Sequence, residues 1–137
     1  SGDMALIDGQ RGGVNFRTGK WQGYQHDLEV RVDLGKSMPI HNVKVGFLQD
    51  IGSWIWMPQR VEFSFSSDGK NFSAPQMVKH SIAPEDDHAQ ITQIGLSGLT
   101  KPARYVRVKA INFGKCPPWH LGAGGDAWIF ADEITIE

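Results

Sequence analysis

The segment Leu28-Glu29-Val30-Arg31-Val32-Asp33-Leu34 alternates apolar and charged residues without a break. A period of two puts Leu28, Val30, Val32 and Leu34 on one face of an extended strand and Glu29, Arg31 and Asp33 on the other, as a strand with one face buried and one in water requires. Gly35 is read as its end. The same period returns in Val43, Val45 and Phe47, in Val61, Phe63 and Phe65 against Glu62 and Ser64, in Ile91-Thr92-Gln93-Ile94, in Tyr105-Val106-Arg107-Val108-Lys109, and from Ile129 to Ile136. These runs predict about seven strands. Helical periodicity is missing: no window of about a dozen residues carries apolar positions at i, i+3, i+4 and i+7 without an interrupting Gly or Pro. Turn signals at Gly35-Lys36-Ser37, Ser67-Asp68-Gly69-Lys70, Ala83-Pro84-Glu85-Asp86-Asp87 and Lys101-Pro102 separate the runs. Short strands so spaced predict an all-β, mostly antiparallel sandwich or jelly roll rather than an α/β layout.

At 137 residues the chain has the size of one domain, and folding at this length hides roughly two-thirds of the unfolded surface. Residues 1–3 are read as a tag remnant or linker, since Ser1-Gly2 resembles a cleavage scar, and 4–137 as a single domain. Lys and Arg number 14 against 15 Asp and Glu, a formal charge of -1, and the basic residues are scattered. Neither nucleic acid nor an anionic membrane surface is an expected partner of such a distribution. No apolar run approaches the roughly 18 residues of a membrane span, so membrane insertion is not expected. Cys116 is the only cysteine, so no internal disulfide can form and stability must come from packing, hydrogen bonds or a bound ion.

The motifs of catalysis are missing as well. There is no His-Glu-x-x-His, no Gly-x-Ser-x-Gly elbow, no phosphate-binding glycine loop, and Cys116 with His120 makes only a pair of metal donors. Glu85-Asp86-Asp87 follows Pro84 in a turn and reads as a solvated acidic loop rather than one side of a glycosidase cleft. Cys116 carries no local signature of a nucleophile and reads as a packed thiol.

Two stretches are rich in aromatic residues near glycine and proline: Ile51-Gly52-Ser53-Trp54-Ile55-Trp56-Met57-Pro58 and Pro117-Pro118-Trp119-His120-Leu121-Gly122-Ala123-Gly124-Gly125-Asp126. Tryptophans serve cores more often than platforms, and Trp21 and Trp128, each beside a predicted strand, read as core. Trp54 and Trp56 are two apart, so an extended chain would put them on one face with Ile55 and Met57 on the other. One of those pairs is then expected to pack while the other shows.

Several segments together resemble a known family. Val61-Glu62-Phe63-Ser64-Phe65-Ser66-Ser67-Asp68-Gly69-Lys70-Asn71-Phe72 and Ala103-Arg104-Tyr105-Val106-Arg107-Val108 resemble two strands of the discoidin, or coagulation factor 5/8 type C, domains. Leu6-Ile7-Asp8-Gly9, Trp21, Asp33-Leu34-Gly35 and Ala131-Asp132-Glu133-Ile134 fall in the order that family has them, so the resemblance spans nearly the whole chain. Asp8-Gly9-Gln10-Arg11-Gly12, Lys20-Trp21-Gln22-Gly23-Tyr24 and Trp119-His120-Leu121-Gly122-Ala123-Gly124-Gly125 are similar to the C-terminal module of bacterial, Bacteroides-type β-hexosaminidases. The terminal cysteines of animal members are missing.

The resemblance implies a galactose-binding-like jelly-roll sandwich of about eight mostly antiparallel strands and a noncatalytic carbohydrate-binding module of family 32 type. It would hold the catalytic domain of a secreted, periplasmic or cell-surface glycoside hydrolase near glycans of galactose or N-acetylhexosamine type. A structural or protein-docking domain of the same enzyme, without a working sugar site, is the other reading. A sugar ring needs an aromatic platform and a few fixed polar groups, for which Trp54, Trp56, Trp119, His120 and Asp126 are the candidates. His120 also reads as a loop histidine bonded to a nearby carbonyl. By composition Asp8-Gly9 is a turn and Glu133 a solvated strand residue. The resemblance instead implies a structural calcium held by Asp8 and Glu133, with Thr18 and the carbonyl of Arg11 as additions.

Overall fold

A computed structural model describes residues 25–137 in full, apart from the side chains of Asp132 and Glu133, together with the backbone of three strands in the first 24 residues. The strands are β1 (Met4–Leu6), β2 (Phe16–Thr18), β3 (Gln22–Tyr24), β4 (Leu28–Pro39), β5 (Val43–Gln49), β6 (Arg60–Ser66), β7 (Gln76–Val78), β8 (Gln90–Leu96), β9 (Pro102–Ile111) and β10 (Ile129–Ile136). One sheet runs β1-β4-β9-β6-β7 and the other β2-β10-β5-β8, with β3 also on β10. Pairing is antiparallel throughout the described ladders except between β1 and β4. The only helical element among the described residues is a 3-10 turn at Ile51–Ser53.

In β4, β5, β6, β9 and β10 the alternation read from the sequence is the alternation of burial. In β8 it is not, since Ile94 is buried but Ile91, three residues away and so on the other face, is exposed. Leu28, Val32 and Leu34 of β4, Val43, Val45 and Phe47 of β5, Val61 and Phe63 of β6, Val106 and Val108 of β9, and Ile129, Ile134 and Ile136 of β10 meet between the sheets. A second, smaller cluster of Ile51, Trp56, Cys116 and Ala127, with Phe113 against it, lies under the loops at one end. Those loops are 50–59, 79–89 and 112–128.

The strand β4 does not end at Gly35. It continues to Pro39 through an irregularity: Asp33 faces Tyr105, and the next pair is Met38 with Ala103. Gly35 takes φ 87°, a conformation cheap only for glycine, and its N–H donates to Asp33 Oδ1 at 2.8 Å. The glycine therefore marks a bulge in the strand rather than its end. β7 was not expected from the sequence, because three residues, Gln76-Met77-Val78, carry no readable period.

Candidate functional site

The aromatic stretch after β5 is not extended. Asp50 and Ile55 exchange backbone hydrogen bonds at 2.9 and 3.0 Å, closing a loop around the 3-10 turn. Ser53 N–H donates to the Asp50 carbonyl and Ser53 Oγ to Asp50 Oδ2. Trp54 ends the turn in the left-handed region at φ 65° and ψ 30°, a conformation that costs a bulky residue about 1–2 kcal/mol. Two contacts hold it there: its carbonyl accepts from Trp128 N–H at 2.8 Å, and Gly122 lies so close that a Cβ on it would be 2.9 Å from Trp54 Cε2. The left-handed residue breaks the expected alternation. Trp54 is 41% exposed, whereas Ile55, Trp56 and Met57 are all buried.

Trp56 is therefore core and not platform, a correction to its place among the sugar-contacting candidates. It is fully buried, stacked on Phe113 at 5.1 Å with the rings 11° apart, and it meets His120 edge-on at 4.8 Å. Its Nε1–H donates to the Pro84 carbonyl at 2.9 Å. One side chain thus ties its own loop to 79–89 and to 112–128. Gln49, buried at the end of β5, reinforces the tie: Nε2 donates to the carbonyls of Ala83 and Asp86, and Oε1 accepts from Met57 N–H.

The loop 112–128 is fixed from within. Asn112 Nδ2 donates to the Ala127 carbonyl at 3.0 Å, and Asn112 Oδ1 accepts from Gly114 N–H at 2.7 Å. Cys116 and Gly125 are joined at 2.8 Å and Ala127 and Gly114 at 2.8 Å. Lys115 Nζ and Asp126 Oδ1 form an ion pair at 2.5 Å across the neck of the loop. Cys116 is buried, as a packed thiol should be, and burial pushes its pKa up, which keeps it protonated and inert.

His120 is the hub. Its Nδ1 accepts from Gly122 N–H at 2.9 Å, so the proton sits on Nε2, which donates to the Ile51 carbonyl at 2.6 Å. With both ring nitrogens engaged, His120 has none left for a sugar hydroxyl, which corrects its direct-contact assignment in favour of the local-carbonyl reading. Trp54, Trp56 and Trp119 meet its ring edge-on at centroid distances of 6.1, 4.8 and 6.0 Å.

Of the five candidates, Trp54 and Trp119, the latter 54% exposed, are the exposed indoles, and each meets the His120 ring edge-on. Leu121, which sequence reasoning did not single out, is fully exposed beside them. Asp126 is exposed but committed through Oδ1 to Lys115. Gln49, Asn112 and Phe113 were also missed, and they build the base rather than the surface. Trp128, expected in the core, is only half-buried, with Phe130 edge-on at 6.4 Å. Trp21 lies outside the described residues.

The acidic loop behaves as a solvated turn. Glu85 and Asp87 are exposed, and Asp86 Oδ1 accepts from His88 N–H at 3.1 Å. Asp86, Asp87 and His88 bring donor atoms within 4.8 Å of one another, all near solvent. Of the residues expected to hold calcium, Asp8 and Arg11 lie outside the described residues. Thr18 and Glu133 are described only as backbone, on β2 and β10, where Thr18 pairs with Ile134.

No family model matches the sequence, and no curated protein matches it. Solved structures do. CBM32-3 from a family 31 glycoside hydrolase of Clostridium perfringens aligns at a TM-score of 0.51 and 14% identity, over 91% of this chain and 75% of that one. The module CpGH89CBM32-5 of Clostridium perfringens, solved with GalNAc-β-1,3-galactose, aligns at 0.48 and 17% identity, over 92% and 76%. At such identities the likeness is one of fold: the chain is an all-β jelly roll, as the CBM32-3 module is.

Proposed function

We propose that this chain is a noncatalytic carbohydrate-binding module of the family 32, discoidin-like type, whose site is the platform of Trp54 and Trp119 around His120. The observation that carries this reading is the pair of exposed indoles mounted on a hydrogen-bonded base at one end of the sandwich. Indole faces are amphipathic surfaces suited to the C–H face of a sugar, and rigid mounting lowers the cost of ordering them on binding. The ligand is a neutral galactose or N-acetylhexosamine unit. Binding is weak, since one or two rings offer few atoms, and the benefit is a raised local concentration for an attached domain.

The resemblance at Trp119-His120-Leu121-Gly122 supports a finer reading: the module belongs to a secreted, periplasmic or cell-surface bacterial β-hexosaminidase, with its catalytic domain as a covalent partner. The same resemblance supports a structural calcium at Asp8, Arg11, Thr18 and Glu133. The register that sets Thr18 opposite Ile134, the neighbour of Glu133, is compatible with it.

A second reading rests on Leu121, whose full exposure beside the two indoles makes an apolar patch of the kind that docks protein. A glycan array including galactose, N-acetylgalactosamine and N-acetylglucosamine termini separates the two. Binding lost in Trp54→Ala and Trp119→Ala supports the module; no bound glycan leaves the docking domain.

A further inference from the structure

At the end of the sandwich away from the tryptophans, a cleft of about 490 Å³ opens between the β6–β7 and β8–β9 connections, within the roughly 300–1,000 Å³ of small-molecule sites. We propose that this cleft is a second saccharide site, independent of the aromatic platform, that takes a single pyranose ring bearing a carboxylate, a uronic acid unit.

Its walls are set in advance. On one side Asp68 Oδ1 accepts from Ser66 Oγ at 2.9 Å and from the N–H groups of Lys70 and Asn71 at 2.8 and 2.9 Å, while Asn71 Nδ2 donates to Oδ2. Ser73 and Phe65 close the same connection: Ser73 N–H donates to the Phe65 carbonyl at 2.8 Å, and Ser73 Oγ accepts from Phe65 N–H at 3.0 Å. On the other side Leu99 N–H donates to the His41 carbonyl at 3.0 Å, and Pro102 pairs with Pro39. A cleft with fixed walls loses little order on binding.

The lining suits one face of a sugar and one negative charge. Phe65, Leu99 and Pro102 supply apolar surface over the buried Ile40. Ser67, Gln76, Thr100 and Lys101 supply polar groups, and none of these four side chains hydrogen-bonds another described residue. Among the described residues Lys101 is the only charged one in the lining, and no carboxylate of theirs faces it there. An ammonium with no ion-pair partner among the described residues, beside hydroxyl and amide groups, favours an acidic ligand through a charge-assisted hydrogen bond. The platform end differs, since Asp50, Glu85, Asp86 and Asp87 lie on its loops.

The test is a two-dimensional amide NMR titration of this chain with glucuronate and galacturonate, and with glucose as the neutral control. The expected result is shifts at Ser67, Gln76, Thr100 and Lys101 with a uronate, an affinity about tenfold lower in Lys101→Ala, and no change in Trp119→Ala. Shifts confined to residues 112–128, equal affinity for glucose, or an affinity unmoved by Lys101→Ala overturns the proposal. Lys101 is exposed, so its replacement leaves the fold intact. Loss of neutral-sugar binding in Trp119→Ala concerns the platform alone, so the two sites fail or stand separately.

Discussion

Two tryptophans two residues apart have opposite roles because one backbone torsion lies between them. Trp54 at φ 65° turns its indole outward, and the chain after it dives back so that Trp56 closes the base. Composition and spacing suggested that both indoles would share a face; nothing in the sequence signals a left-handed tryptophan, whose stability depends on Gly122 and Trp128 far along the chain. The difference is measurable. Trp56→Ala is expected to cost about 3–5 kcal/mol in urea unfolding, as a large buried aromatic does. Trp119→Ala is expected to stay within about 0.5 kcal/mol of the parent, as an exposed position does. A large loss in Trp119→Ala would show that its indole is packing rather than presented.

At the scale of the element, the strands were legible because one-sided burial imposes a period of two, and β10 was read from Ile129 to Ile136, as it is found. What escaped was decided by contacts distant in sequence: the continuation of β4 past Gly35 depends on Ala103 and Pro102 across the sheet, and β7 is recognisable only by its pairing with β6. The three loops of the site could be located from their composition, but the tie that Gln49 and Trp56 make among them could not. Gly122 tests a separate contact, the one between loops 50–59 and 112–128, since a Cβ there meets the Trp54 ring at 2.9 Å. Gly122→Ala is expected to shift tryptophan fluorescence and weaken glycan binding more than it lowers stability; unchanged emission would mean the contact is soft.

Among the described residues, His80 and Asp33 are two of the groups that couple stability to pH. His80, half-buried, accepts from Ile82 N–H through Nδ1 at 2.9 Å, and burial holds its pKa below the ordinary 6.5 despite a bond to the Pro58 carbonyl. The unfolded chain therefore takes up this proton first, so His80 contributes stability that is present above about pH 6.5 and lost as pH falls through its folded pKa. The Asp33 carboxylate, paired with Arg104 at 2.8 and 3.1 Å, is held below its usual range chiefly by that hydrogen bond. Its contribution is lost only at lower pH, below about 3.8. Urea unfolding between pH 8 and 5 is expected to show the first loss, and His80→Gln to flatten it. An unchanged slope in that variant would assign the loss to another group.

For the whole molecule, the jelly roll gathers the aromatic loops at one end and the polar cleft at the other, with the sandwich core between. The proposed calcium acts at this scale, joining early and late parts of the chain without a disulfide. An ion bound only by the folded state raises the melting temperature by mass action, so chelator is expected to lower it and calcium to restore it; equal melting in both removes calcium from the account.

The central claim is that Trp54 and Trp119 form a working sugar platform. Calorimetric titration of N-acetylgalactosamine, with galactose and N-acetylglucosamine beside it, into the parent chain, Trp54→Ala and Trp119→Ala tests it most directly. The account predicts a dissociation constant of about 0.1–10 mM for at least one of the three sugars, weakened about tenfold or more in Trp119→Ala while its melting temperature holds. No heat of binding for any of the three in the parent chain, or an equal affinity in both variants, would contradict it.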